Sequence, residues 1–92
     1  MVRNIIVRVE LFKENDQFVS LCPKLNVSSF GDTEEEAIKS LKEALSLFFE
    51  ECDRIGTLRD VLEEVGFQMR DQRWVYREPL TTEKLDIALT KA

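Results

Sequence analysis

Val27-Ser28-Ser29-Phe30-Gly31-Asp32-Thr33-Glu34-Glu35-Glu36-Ala37-Ile38, which runs on to Arg54 and Ile55, is where the hydrophobic period changes. Val27 to Phe30 reads as a short strand. Gly31 permits an unusual backbone angle, and Thr33 is a favoured residue for capping a helix N-terminus. Thr33 and Glu36 stand at the spacing of a capping box, in which each side chain satisfies an orphan backbone N–H of the first turn. From Glu34 to about Arg54 the apolar residues return at helical spacing. Ala37, Ile38, Leu41, Ala44, Leu45, Phe48, Phe49, Cys52 and Ile55 gather into a stripe roughly 140° wide, which suits a helix lying across a sheet. Glu35, Lys39 and Glu43 succeed one another at spacings of four on the opposite face, with modest ion-pair support expected. Glu34, Glu35 and Glu36 sit at the positive end of the helix dipole. They form either a solvated, dipole-stabilising first turn or an acidic patch for a partner. Leu47 falls off the stripe, as an incidental exposed leucine or as part of a protein contact.

Upstream, residues 4 to 12 alternate with a period of two and read as one strand. Ile5, Val7, Val9 and Leu11 face the core; Ile6, Arg8, Glu10 and Phe12 lie on the other face. A turn is expected over Lys13-Glu14-Asn15-Asp16, and Gln17 to Cys22 returns as the second arm of a hairpin that Pro23 limits. Downstream, Gly56 ends the long helix and Thr57 caps a second one over about Leu58 to Val65, stopped by Gly66. Phe67 to Met69 and Trp74 to Tyr76 read as two strand pieces joined by the polar turn Arg70-Asp71-Gln72-Arg73. Beyond Pro79, Leu85, Ile87 and Leu89 alternate as in a strand, whereas Leu85, Ala88 and Leu89 would share a helical face; periodicity alone leaves both open. The expected fold is α+β: an antiparallel sheet with one long helix and a short helix packed on one face. On the other face Ile6 and Phe12 have no obvious cover. They are candidates for an oligomer interface, or for partial cover by the C-terminal segment.

The chain has 92 residues, enough for one domain spanning 1–92. No apolar run approaches the roughly 18 residues a membrane-crossing helix needs, and Met1 to Glu10 lacks the continuous apolar segment of a signal peptide. A cytoplasmic location is the expectation. Cys22 and Cys52 are expected to be reduced, small buried hydrophobes. The net charge of −5 argues against a phosphate-binding surface and favours a basic partner. The chain contains no histidine, which removes Ser-His-Asp and Cys-His nucleophile pairs and the usual zinc ligand. A metal-dependent nuclease would need converging carboxylates. The candidates, Glu10 with Glu36 or Glu43, do not share a face. Gly31, Gly56 and Gly66 are too far apart for a nucleotide-binding loop. Arg73, Trp74, Tyr76 and Arg77 form a basic-aromatic cluster, either an RNA-stacking surface or a half-buried edge strand. No catalytic, cofactor-binding or metal-binding residues are assigned, and the chain is not expected to be an enzyme.

Phe18-Val19-Ser20-Leu21-Cys22-Pro23-Lys24-Leu25-Asn26-Val27, continued by Ser29-Phe30-Gly31-Asp32-Thr33-Glu34-Glu35-Glu36-Ala37, resembles the signature of the HicB antitoxin family. In that signature a strand ends in Cys-Pro-x-Leu, and a short strand leads to Gly-Asp-Thr and a Glu-Ala helix start. Leu41-Lys42-Glu43-Ala44-Leu45 continues the family's helix. Gly56-Thr57-Leu58 and Val61-Leu62-Glu63-Glu64-Val65-Gly66-Phe67 resemble the segment after that helix in stand-alone members, so the likeness spans about residues 3 to 78. It implies a partial RNase-H-like fold without the nuclease's carboxylates. It also implies a partner, HicA, a small basic toxin that cleaves messenger RNA with a histidine, and assembly as a dimer or higher oligomer. A final strand in related members favours a strand at Leu85, Ile87 and Leu89. About 14 residues remain after Glu78, too few for the DNA-binding domain that many HicB proteins carry, so direct DNA binding is not expected of this segment. Cys22, Pro23, Gly31, Asp32 and Thr33 carry the likeness as structural residues. From net charge and helix-face geometry, the expected toxin contact is an acidic rim of Glu34, Glu35, Glu43 and Glu50 with Leu47 as an apolar anchor. An orphan homo-oligomeric regulatory domain with no toxin partner is the alternative.

Overall fold

The computed structural model describes residues 4–90. Met1–Arg3, in the stretch screened for a leader, and Lys91–Ala92, at the end of the ambiguous tail, lie outside the described residues. In chain order the elements are β1 (Asn4–Ile5), β2 (Glu10–Glu14), β3 (Gln17–Cys22), β4 (Val27–Gly31), α1 (Glu34–Arg54), α2 (Leu58–Glu64), β5 (Phe67–Arg70) and β6 (Arg73–Tyr76). The class is α+β with one long and one short helix, and the strands divide into two three-stranded sheets. One is the antiparallel meander β2-β3-β4. The other, ordered β1-β6-β5, combines the antiparallel β5–β6 hairpin with a parallel β1–β6 pairing.

The single strand expected over residues 4–12 is therefore two. Its alternation persists through the gap, with Ile5, Val7 and Val9 turned inward, while its hydrogen bonds change partner. Asn4 and Ile5 align with Arg73 and Trp74, and the Ile6 N–H donates to the Trp74 carbonyl at 2.9 Å. From Glu10 onward the ladder runs against β3, as far as Glu14 opposite Gln17. The turn shrinks to Asn15-Asp16, with Asn15 at φ 55°, a left-handed conformation that asparagine tolerates. Leu11 shares a face with Val9 but is 38% exposed, because α1 packs chiefly over β4 and β3 and leaves the β2 edge bare.

Two apolar clusters hold the layers together. Cys22, Leu41 and Leu45 form one, with Val7, Val9, Leu25, Val27 and Phe49 against it. Leu62, Phe67 and Trp74 form the other, with Ile5, Val7, Phe49, Leu58, Val65 and Tyr76 around it. Val7 and Phe49 belong to both and join them. Ser20, the buried polar residue of β3, donates its hydroxyl to the Ala37 carbonyl at 2.7 Å and so ties β3 to α1. Both cysteines are buried and unpaired with each other.

Several local expectations need correction. Gly31 has no left-handed φ; a Cβ there would stand 2.6 Å from the Ala37 backbone nitrogen, so it is the close approach of β4 to α1 that demands glycine. Ile55 lies just past the end of α1 and is exposed, outside the buried stripe. Thr57 does not cap α2 with its side chain; its hydroxyl donates back to the Cys52 carbonyl at 3.4 Å, while Gly56, at φ 82°, makes the turn between the helices. β6 is the central strand of its sheet, not an edge. The tail from Arg77 to Thr90 is neither strand nor helix and is exposed throughout, so the final strand expected at Leu85, Ile87 and Leu89 does not form on its own chain. No helix of the described residues is long and apolar enough to cross a membrane.

Candidate binding surfaces

The start of α1 keeps one bond of the expected capping box and shifts the other to Asp32, one residue before the cap. Thr33 Oγ1 accepts from the Glu36 N–H at 3.1 Å, and the Glu36 carboxylate accepts from the Asp32 N–H at 3.1 Å. Glu36 is thus committed to the cap. Glu34 and Glu35 remain exposed and border a shallow hollow with Phe18 and Thr33. Farther along, Glu43, Leu47 and Glu50 stand at i, i+4 and i+7 on the solvent side of the same helix. Leu47 is 67% exposed. The five residues expected as one acidic rim are therefore two groups. Between Glu35 and Glu50 the helix rises by roughly 22 Å, and Glu34 projects from the side of the helix that carries Leu41 and Leu45.

Around Leu47 the sequence reading missed one member. Glu51, four residues on, completes a set of carboxylates with Glu43 and Glu50, although its own charge is engaged by Arg54, whose Nε donates to it at 3.2 Å. The ion pairs expected along Glu35, Lys39 and Glu43 are absent; among the described residues the pairs are Glu51–Arg54 and Arg8–Glu78. Lys39 and Glu43 instead flank a 440 Å³ hollow bounded by Phe30, Gly31 and Ser40.

The second surface is the face of the meander away from α1. In antiparallel pairs, directly opposite residues project to the same side. Phe12 stands opposite Val19, and Val19 opposite Phe30, so the three form one row across β2, β3 and β4. Leu21, between Glu10 and Ser28, lies beside that row. Phe12 is 47% and Phe30 62% exposed, and Phe30 also borders the hollow lined by Lys39 and Glu43 of α1. Ile6, also exposed, continues this side toward the second sheet. Ile6 and Phe12, expected at an oligomer interface or under the C-terminal segment, are both about half exposed on the chain. Phe30, Val19 and Leu21 were missed as members of this face, because their side depends on strand register, which the alternation within each strand does not state.

Trp74 is fully buried and cannot stack on RNA; its indole Nε1 has no hydrogen-bond partner in the core. Glu10 lies on the outer face of the meander, while Glu36 and Glu43 are on α1, across the sheet. Among the described residues no group of three or more cysteine and carboxylate side chains is placed to hold a metal ion. Comparison of the chain with family models, curated proteins and solved structures finds no match.

Proposed function

We propose that this chain is a non-catalytic, HicB-like binding protein of the cytoplasm that neutralises a small basic HicA-type toxin by covering its messenger-RNA-cleaving surface. The observation that carries this reading is the exposed Leu47 between the carboxylates Glu43 and Glu50, on a chain of net charge −5 with no histidine. An apolar anchor surrounded by negative charge suits a cationic partner, since complementary fields speed encounter and select orientation. The Cys-Pro-x-Leu and Gly-Asp-Thr motifs supply the family likeness. Glu34 and Glu35 extend the acidic character to the other end of α1.

The test is a titration with the product of the neighbouring reading frame, which this reading expects to be a small, basic, histidine-bearing protein. Reversing Glu35, Glu43 and Glu50 to lysine together is expected to weaken the complex at least tenfold by calorimetry, with the far-UV spectrum unchanged. Equal affinity would remove the helix patch, and failure of the wild-type pair to copurify would remove the toxin. A second reading, a homo-oligomeric regulatory domain without a toxin, draws on the uncovered Phe12–Val19–Phe30 row. It expects self-association through that face with no partner present. A nuclease is the third class, and incubation with RNA and magnesium is expected to give no cleavage.

A further inference from the structure

Leu80 to Leu89 is an apolar segment that packs against no element of its own chain. Leu85, Ile87 and Leu89 alternate with Lys84, Asp86 and Ala88, and of the two patterns its spacing allows, this is the one a sheet edge can take up. On its own chain the segment is exposed at every position, with Leu80, Leu85 and Leu89 each more than four-fifths exposed. It also stretches the molecule: the radius of gyration is 16.6 Å against about 12 Å for a compact chain of this length. So much apolar side chain in water is costly, and a sheet edge can recruit such a segment by strand addition.

We infer that Leu80–Leu89 forms its strand on a second copy of this chain, along the free edge of that copy's β4, with Leu85, Ile87 and Leu89 continuing the Phe12–Val19–Phe30 row. Among the edges of the meander, β4 is the receptive one. It pairs only with β3, and its five residues, Val27-Ser28-Ser29-Phe30-Gly31, carry no charge. The opposite edge, β2, presents Glu10, Lys13 and Glu14, the charged protection typical of an edge that must stay unpaired. Phe30, the most exposed member of the apolar row, stands on β4 itself, so an adjoining aliphatic strand would cover its flank. Exchange in both directions is self-complementary and closes as a two-fold dimer, leaving neither tail free to recruit a third copy.

The experiment needs no toxin, so its outcome is independent of the antitoxin reading. Light scattering on the full chain at tens of micromolar is expected to give twice the 10.7 kDa chain mass. Leu85→Glu/Ile87→Glu, in a segment exposed at every position and outside both apolar clusters, is expected to halve that mass with the far-UV spectrum unchanged, and Phe30→Glu to do the same. Hydrogen exchange is expected to show protected amides over residues 83–89 in the wild type and none in Phe30→Glu. A monomeric wild type overturns the inference. So does a dimer that survives Leu85→Glu/Ile87→Glu, which would leave self-association through Phe12 standing but remove the exchanged tail.

Discussion

Gly31 shows why a residue's type can be right for a reason the sequence does not contain. Glycine before a helix suggests backbone freedom, but its φ here is one any residue adopts, and the constraint is the Ala37 nitrogen and the Glu36 Cβ, 2.6 and 2.7 Å from where a methyl would sit. Backbone cannot move aside as a flexible side chain can. Gly31→Ala is therefore expected to destabilise the fold by about 1–3 kcal/mol, the usual range for overpacking, read as a lower urea midpoint at constant slope. Ser20 teaches the same lesson. In the sequence it is a polar residue within a strand; in the fold it is fully buried, and its hydroxyl binds Ala37, on the helix 17 positions away.

Among the elements, α1 was legible from end to end, because a capping box, a helical stripe and a glycine just beyond Ile55 are all local signals. The β5–β6 hairpin was legible in outline. Its turn is tighter than Arg70–Arg73: Asp71 and Gln72 alone make it, both at positive φ, 48° and 64°. Such a two-residue turn matches strand twist but favours Asn or Asp followed by Gly. Gln72 is the misfit, since a side chain in the left-handed region costs roughly 1 kcal/mol. Gln72→Gly is expected to raise stability by about 0.5–1 kcal/mol, measured by thermal or urea unfolding; a loss would mean that the glutamine side chain makes a contact that outweighs the turn. The first strand was legible as a pattern and illegible as an element. Period two identifies which residues face inward, but hydrogen-bond partners are chosen by β3 and β6, which lie elsewhere in the chain.

At the scale of the whole molecule, two sheets and two helices behave as one body because Val7 and Phe49 pack into both apolar clusters. Phe49→Ala should therefore weaken both halves. The expected cost is about 3 kcal/mol, the low end for a truncated core phenylalanine because Phe49 is only half-buried. Far-UV dichroism, dominated by α1, and fluorescence of Trp74, the single tryptophan and a member of the second cluster, are expected to report coincident transitions. Separate midpoints would show that the shared residues do not couple the clusters. Phe12 and Val19 lie on the face of the sheet away from α1, whereas Phe30 at the β4 edge lines one hollow with Lys39 and Glu43, so the acidic and apolar surfaces adjoin there.

The residues alone determined the class, the bounds of α1 and the inward turn of Ile5, Val7 and Val9, all of which come from periodicity and capping within a few turns of chain. Tertiary structure decided the division into two sheets, the parallel pairing of β1 with β6, the interior position of Trp74, the separation of Glu34 and Glu35 from Glu43, Leu47 and Glu50, and the inclusion of Phe30 in the apolar row. Each of these depends on register or packing between segments distant in sequence. Burial and pairing are properties of two surfaces meeting, and a local pattern describes only one of them.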